Sequence, residues 1–471
     1  MDRPLHWYDT LTININWFAI TARSQTLVPL VIPLLVQQFV GEAQKGSYVG
    51  MLRLWTLMAA LLFQALMGLL SDHSIFRWGR RRPFILAGAA FEVIVLVAIG
   101  TTAGLSGMNG YWMLFALMML SMLGSNTSHA ATQALIPDLV PDRRKGFFSG
   151  VKAALEVPVP LIFVSFVISR QVAAGNLWAA LITLCGVLIV CALISMFVPE
   201  RPLTVKPPAL DWKPFLRLAG MTGLFTVLIL LAGLGVRTVI GLVSGLQNST
   251  QLWLVGAAGL AAMALTVLAG VWASVRVSVG HEIKANPSFV WWVVNRLAFL
   301  VASTNLAGFM VYLLQEKFPE LAGQKAAGPA STIIMFVGVF ILVMALPGGW
   351  VADRLGKKLL SALSGLAVAA GALVVVAAPS MTLIYAGACI VGAGVGFFYS
   401  ANWALGAEIV PQDQAGRYLG IQNLAGAGAG AVGAYIGGAI ADNLSYVLLM
   451  TLYGLMALLS IFALIGIRKG D

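Results

Sequence analysis

The chain alternates long apolar runs with short polar connections. A membrane-crossing helix needs about 20 mostly apolar residues, and fourteen runs reach that length. In the first part they lie at about 13–38, 47–70, 83–104, 111–136, 147–169 and 176–198. A middle pair follows at about 218–241 and 251–275. The last six lie at about 289–313, 329–351, 359–378, 381–405, 417–441 and 444–467. The longest polar stretches, 199–217 and 276–288, flank the middle pair. This pattern predicts an all-α polytopic membrane protein with fourteen transmembrane helices. Its parts are a first six-helix bundle at 1–200, a linker with two extra helices at 201–284, and a second six-helix bundle at 285–471.

Composition narrows the class. Of 471 residues, 59% are hydrophobic and 10% charged, with a mean hydropathy of +0.90. A soluble domain carries about 25% charged residues. A soluble enzyme, a nucleic-acid binder and a disordered chain are thereby excluded. The net charge of +11 reads as orientation, because cytoplasmic loops collect Lys and Arg. With the N-terminus in the cytoplasm, most basic residues fall inside, among them Arg77, Arg80, Arg81, Arg82, Arg143, Arg144, Lys145, Arg354, Lys357 and Lys358. Lys45, Arg170, Lys317 and Lys325 fall outside. The even helix number brings Arg468 and Lys469 inside as well. The expected location is the inner (plasma) membrane, with both termini cytoplasmic. Asp2, Arg3 and His6 lead into the first helix without a small-residue cleavage site, so no signal peptide is expected. Cys185, Cys191 and Cys389 sit in apolar runs without metal or disulfide spacing.

The chain also repeats itself. DLVPDRRKGFFSGV at 138–151 matches EIVPQDQAGRYLGI at 408–421. The constant offset of 270 (408 − 138) pairs Val140, Pro141, Gly146 and Gly150 with Val410, Pro411, Gly416 and Gly420. At an offset of 279 (295 − 16), Asn16, Ser24 and Leu27 meet Asn295, Ser303 and Leu306. A third match joins Gly68-x3-Asp72 and Gly79-Arg80-Arg81 to Gly349-x3-Asp353-Arg354-x-Gly356-Lys357-Lys358. Two parallel six-helix halves follow, an arrangement that puts a substrate site near the midplane between them.

These loops carry a resemblance. Gly-x3-Asp-Arg-x-Gly-Lys-Lys after the second helix of a half resembles the signature loop of the major facilitator superfamily. SDHSIFRWGRRRPFI with PDLVPDRR resembles the sucrose-transporter and glycoside–pentoside–hexuronide symporter branch. The resemblance covers about 1–200 and 285–471, and it implies the major facilitator fold and transport by alternating access. Met122 stands where plant-type sucrose carriers have a proton-coupling Asp, which leaves that coupling route without its acid. The middle pair looks like the insertion of fourteen-helix facilitators, some of which are drug antiporters or peptide carriers.

The resemblance assigns Asp72, Arg80, Arg81, Asp353 and Arg354 to a lock on the cytoplasmic side, made of charge-assisted bonds that form in one conformation and break in another. Arg82 reads as an orientation charge. Asp138 and Glu408 end the fourth helix of each half, where the helix dipole disfavours an acid, so basic partners are expected. A solvated role for these charges is the alternative.

Polar residues in mid-helix are candidates for the cargo site or for helix–helix bonding. They include Arg23 and Gln25 in the first helix, and Asn305 in the matching helix of the second half. Asn126, His129 and Gln133 share one face of the fourth helix. The counterparts of the last two are Tyr399 and Trp403, with Asn402 alongside, where an aromatic ring beside polar groups suits a sugar face or a drug-like ring. Arg296 either lines the cavity or snorkels. Glu156, four residues after Lys152 and before Pro158 and Pro160, is the coupling candidate, with an internal Lys–Glu pair as the alternative. For Glu92 in the third helix, three readings fit: protonated, paired with Arg53, or in contact with the middle helices.

The expected function is secondary active transport of a small organic solute, a sugar or glycoside first, coupled to a proton or sodium gradient. Export of hydrophobic compounds and a non-transporting assembly role on the same fold are the alternatives. The partners expected are the lipid bilayer, the solute and the ion. No nucleic acid or cofactor is expected, and the chain reads as a monomer and not as an enzyme. No GxxxxGK[ST] loop is present to bind ATP.

Overall fold

The structure, a computed structural model, describes residues 5–200, 202, 209–279, 287–409 and 415–468. Asp2, Arg3, Val410, Pro411 and Lys469 lie outside the described residues. Thirteen helices among the described residues are long and apolar enough to cross a membrane. They are α1 (Trp7–Val40), α2 (Lys45–Asp72), α3 (Arg82–Thr102), α4 (Gly107–Leu139), α5 (Asp142–Ala173), α6 (Leu177–Ser195), α7 (Lys213–Val243), α8 (Asn248–Val277), α9 (Pro287–Gly308), α10 (Gly323–Leu355), α11 (Lys357–Ala377), α12 (Met381–Ile409) and α14 (Tyr446–Gly466). The remaining expected span is also helical, as α13 (Ala415–Asn443). The molecule is a multi-pass, all-helical membrane protein.

The helices form two compact units, one of Met1–Phe39 with Ala59–Phe215, the other of Val40–Met58 with Leu216–Asp471. The first half of α2 therefore belongs to the second unit. In the first unit, α3 and α4 meet where glycine permits it. A Cβ on Gly88 would lie 2.6 Å from the Ser128 backbone nitrogen and 2.7 Å from the Gly124 carbonyl oxygen. Gly88→Val is expected to force this pair apart and to cost about 1–3 kcal/mol, read as a lowered thermal unfolding midpoint in detergent.

Two helices of this unit are not regular. α1 changes to a π-turn at Leu27–Val31, which contains Pro29. α5 breaks after Glu156, where Pro158 starts a new segment, and has its own π-turn at Val164–Ile168. Proline removes the backbone donor that would have continued the ladder, and π-turns concentrate at functional positions.

In the second unit, the small-residue run 425–439 of α13 takes close contacts on several sides. Gly428 and Gly270 clasp the ring of Phe225 from α7, and Gly233 seats Tyr435. On another side, Gly50 of α2 faces the Ala434 backbone, with a Cβ there lying 3.2 Å from the Tyr435 Cα. The extra pair α7 and α8 is thus packed on α13 by ring-into-glycine contacts.

Candidate functional site

In the first unit, a cluster forms around Trp17 of α1, a residue not singled out from the sequence. Asn16 anchors this stretch by donating to Ser128 Oγ (2.8 Å) and Thr132 Oγ1 (2.6 Å) of α4. The Trp17 ring then meets His129 edge-on, with centroids 5.2 Å apart. Lys152 Nζ lies 3.9 Å over the same ring and 3.4 Å from Glu156 Oε2. Lys152 and Glu156 are half-buried, with side chains 29% and 37% exposed. The break after Glu156 ends a helical segment there, so the acid sits at a segment end instead of inside a continuous ladder. Trp17 Nε1 is buried without a hydrogen-bond partner. An aromatic floor from α1 and α4 thus meets a cation and an acid from α5.

The other candidates of this unit lie elsewhere. Gln133 accepts from Gln64 of α2 (3.0 Å), while Asn126 is buried and donates to Met122 O on its own helix (2.8 Å). Gln25 is half-buried. Arg23 is 4% exposed and pairs with Glu92 of α3, Nε to Oε1 at 2.7 Å. Of the three sequence readings for Glu92, the pairing one holds in kind, but the partner is Arg23 and not Arg53. A tertiary contact between distant helices is not readable from spacing along the chain.

In the second unit, α9 and α12 repeat the arrangement of α1 and α4. Asn402 Nδ2 donates to Asn295 Oδ1 (3.1 Å), and Arg296 Nη1 donates to Asn402 Oδ1 (2.8 Å). The Arg296 guanidinium lies 5.1 Å over the Trp403 ring, and it interacts electrostatically with Tyr399. Trp292 Nε1 donates to Asn402 O (3.0 Å) and holds α12 in place. Offsets of 279 and 270 map Asn16–Thr132 onto Asn295–Asn402, and Trp17–His129 onto Arg296–Tyr399. That mapping is the signal that would have found Trp17. Trp403 is 48% exposed, and Arg296 Nε is buried without a hydrogen-bond partner. Asn305 lies apart: it donates to Val301 O (2.9 Å) and to Ala429 O of α13 (3.2 Å).

Among the described residues, the loop charges form a network in the first unit and a single ion pair in the second. In the first unit, Arg81 is 4% exposed and bonds Asp72, Ser71 and Asp138 at once, its Nε 3.0 Å from Asp138 Oδ2. Arg80 also pairs with Asp138 (2.6 Å). Glu200, not predicted, accepts from the backbone N–H of Arg81 (2.8 Å) and of Arg82 (3.1 Å). Burial raises the Glu200 carboxyl above the usual carboxylate range, against the pull of those N–H groups. In the second unit, Lys357 pairs with Glu408, Arg354 stacks 3.9 Å over Trp350, and Asp353 is exposed. Gly79 and Gly356 precede the basic pairs and both have positive φ, +104° and +91°. Only glycine takes that turn freely.

At the Lys45 end of α2, Asp442 of α13 accepts from the N–H groups of Gly46 (2.7 Å) and Ser47 (2.6 Å). Lys45 pairs with Glu42 (2.6 Å), donates to Gln315 (3.0 Å) and lies 4.5 Å over the Tyr312 ring. Carboxylate capping of a helix start is favourable both by hydrogen bonding and by the dipole.

A profile of the Major Facilitator Superfamily matches residues 297–470. Among characterised proteins, the multi-drug resistance efflux pump PmrA of Streptococcus pneumoniae is 30% identical over 146 residues, 30% of this chain and 33% of the pump. The sucrose transport protein SUC3 of Arabidopsis thaliana is 28% identical over 191 residues, 31% of this chain and 30% of the carrier. The chain thus spans about a third of the length of these relatives. Among solved structures, the nucleoside transporter NupG superposes with a TM-score of 0.64 at 12% identity, covering 98% of this chain and 100% of that one. The POT family transporter PepTSo gives 0.65 at 10% identity, covering 97% and 96%.

Proposed function

The chain has the major facilitator fold, and from that premise we propose that it is a secondary active transporter of a small organic solute, a sugar or glycoside, driven by a proton or sodium gradient. The observation that carries the reading is the matched pair of polar–aromatic clusters, around Trp17 in one unit and Arg296 in the other. In the first cluster His129 suits a sugar hydroxyl and the Trp17 ring suits its apolar face; in the second, Asn402 and Arg296 suit hydroxyls, and Trp403 and Tyr399 suit that face. Arg23, Gln25, Asn126 and Asn305 support the helices that carry these groups or meet cargo in another conformation. Lys152 and Glu156 are the coupling pair: the acid takes a proton when the cation is drawn to cargo.

The protein sits in an inner (plasma) membrane with both termini cytoplasmic, as the basic loops favour. The Arg81 network with Asp72, Arg80 and Asp138, and the loop with Asp353, Arg354 and Glu408, then make the cytoplasmic lock. A six-helix bundle at 1–200, an inserted pair at 201–284 and a second bundle at 285–471 move as the working parts.

Binding tests the site. Trp403 is half exposed, so its emission responds to a ring stacked on it. Titration with sucrose and other glycosides is expected to change tryptophan emission. Arg296→Gln should weaken that binding about tenfold or more, the size of a lost hydrogen bond to a charged group. A panel of sugars that leaves the emission untouched would sink the sugar reading. Efflux of hydrophobic compounds is the second reading. It is favoured by the likeness to PmrA and by an apolar cavity of about 460 Å³ lined by Met67, Phe76, Phe84, Phe91 and Leu123 in the first unit.

A further inference from the structure

We propose that Glu92 is a proton-binding site of the first unit, protonated whenever Arg23 leaves it, a role that rests on the transport reading above. Glu92 is 1% exposed in α3. Its Oε1 takes both the Arg23 Nε (2.7 Å) and the Ser121 hydroxyl (2.6 Å). Arg23 Nη2 also donates to Ser121 Oγ, which closes a three-residue ring of bonds. Oε2 is buried without a hydrogen-bond partner. Opposite it stands Gly124, whose Cβ, if present, would lie 3.2 Å away, so that residue supplies no side chain to serve the oxygen.

The arrangement is therefore half satisfied. A purely structural ion pair in a bundle interior recovers its desolvation only when the remaining oxygen is also hydrogen-bonded. Here a single cation, Arg23 from α1, holds the charge of Glu92. Among the described residues, Cys185 of α6 also interacts with it electrostatically, and α4 contributes the Ser121 hydroxyl. Arg82, at the start of α3, lies ten positions away along the helix. If Arg23 withdraws, no described neighbour can neutralise the carboxylate, and an isolated charge there costs far more than a neutral acid.

The backbone gives Arg23 a way to withdraw. It lies in the last turn of the α-helical stretch Trp7–Thr26, directly before the π-turn Leu27–Val31. The wider turn and Pro29 interrupt the regular ladder, so the segment carrying Arg23 pivots without unwinding α1. The step balances simply. The Arg23–Glu92 bonds break, and the carboxylate takes one proton from hydronium to give the acid and water. Return of Arg23 expels that proton. The pair thus links the position of α1 to protonation of α3.

Infrared difference spectroscopy on the full-length protein, carrying carboxyl-labelled glutamate in lipid vesicles, tests this without any cargo. Arg23→Gln is expected to show the carbonyl stretch of a protonated glutamic acid at neutral pH. The same band should persist in Arg23→Gln/Glu156→Gln and vanish in Arg23→Gln/Glu92→Gln. If Arg23→Gln does not fold, Ser121→Ala keeps the ion pair and removes one donor to Oε1. It should then yield a Glu92-dependent band on acidification at higher pH than wild type. A folded Arg23→Gln without a Glu92-dependent band at neutral pH, or a Ser121→Ala whose band appears at no higher pH than in wild type, overturns the proposal. A band without gradient-driven flux leaves the proton site standing and removes the transport reading instead.

Discussion

Glu156→Gln is expected to abolish accumulation of solute against its gradient while exchange across the membrane survives. The substitution keeps the side chain's size and its ability to bond Lys152, but removes the negative charge. Lys152 then stays attached to the Trp17 ring, 3.9 Å away, with no competing acid at 3.4 Å. Gradient-driven uptake should fall about tenfold or more, since loss of one charge interaction of about 1.4 kcal/mol already gives that factor. Equilibrium exchange needs no net proton movement and should change by less than about threefold, under 1 kcal/mol. Equal losses of both would place Glu156 in the structural frame instead.

Arg81→Ala is expected to have the largest effect among the loop residues. Arg81 is the hub that bonds Asp72, Ser71 and Asp138 together, with its side chain only 4% exposed. Removing one partner of a buried pair costs about 3–5 kcal/mol. Asp72 is 54% exposed and Arg80 still holds Asp138, which puts the loss near the lower end. The lock state should lose population accordingly. A cysteine placed at Ser74, now 8% exposed, should react with a membrane-impermeant thiol reagent many-fold faster in Arg81→Ala than in the parent. Arg81→Lys should recover little, because a compact ammonium lacks the planar, spread donors with which the guanidinium reaches Asp72, Ser71 and Asp138. Unchanged labelling in both variants would mean that these charges set topology and do not lock.

Much of the fold was legible because a bilayer imposes one length on every span. The apolar runs mark the helices, and errors lie at the ends. α4 runs from Gly107 to Leu139 where the apolar stretch suggested about 111–136, because polar end turns continue the ladder beyond the hydrocarbon region. The π-turn after Thr26 left no mark in hydropathy. The repeat was legible from loop residues, and it reappears as matched side-chain contacts, Asn16–Thr132 and Asn295–Asn402.

The site was less legible. His129, Lys152 and Glu156 share a cluster, as do Arg296, Tyr399, Asn402 and Trp403. What sequence reasoning missed is the ring at the centre of the first cluster, since Trp17 looks like one more apolar residue in an apolar helix. The bond between Arg23 and Glu92, 69 positions apart, was equally hidden. Helical periodicity says which residues share a face and leaves open which helix that face meets.

The central claim is that this chain couples solute movement to an ion gradient. The most direct measurement is uptake of labelled sucrose, other labelled glycosides and a lipophilic dye into proteoliposomes, with an imposed pH or sodium gradient. The account predicts accumulation of a sugar above its external concentration, collapsed by a protonophore or a sodium ionophore and absent from protein-free vesicles. Dye movement alone under the gradient would favour the exporter reading. No movement of any probe under either gradient, by protein shown to be folded, would contradict the account.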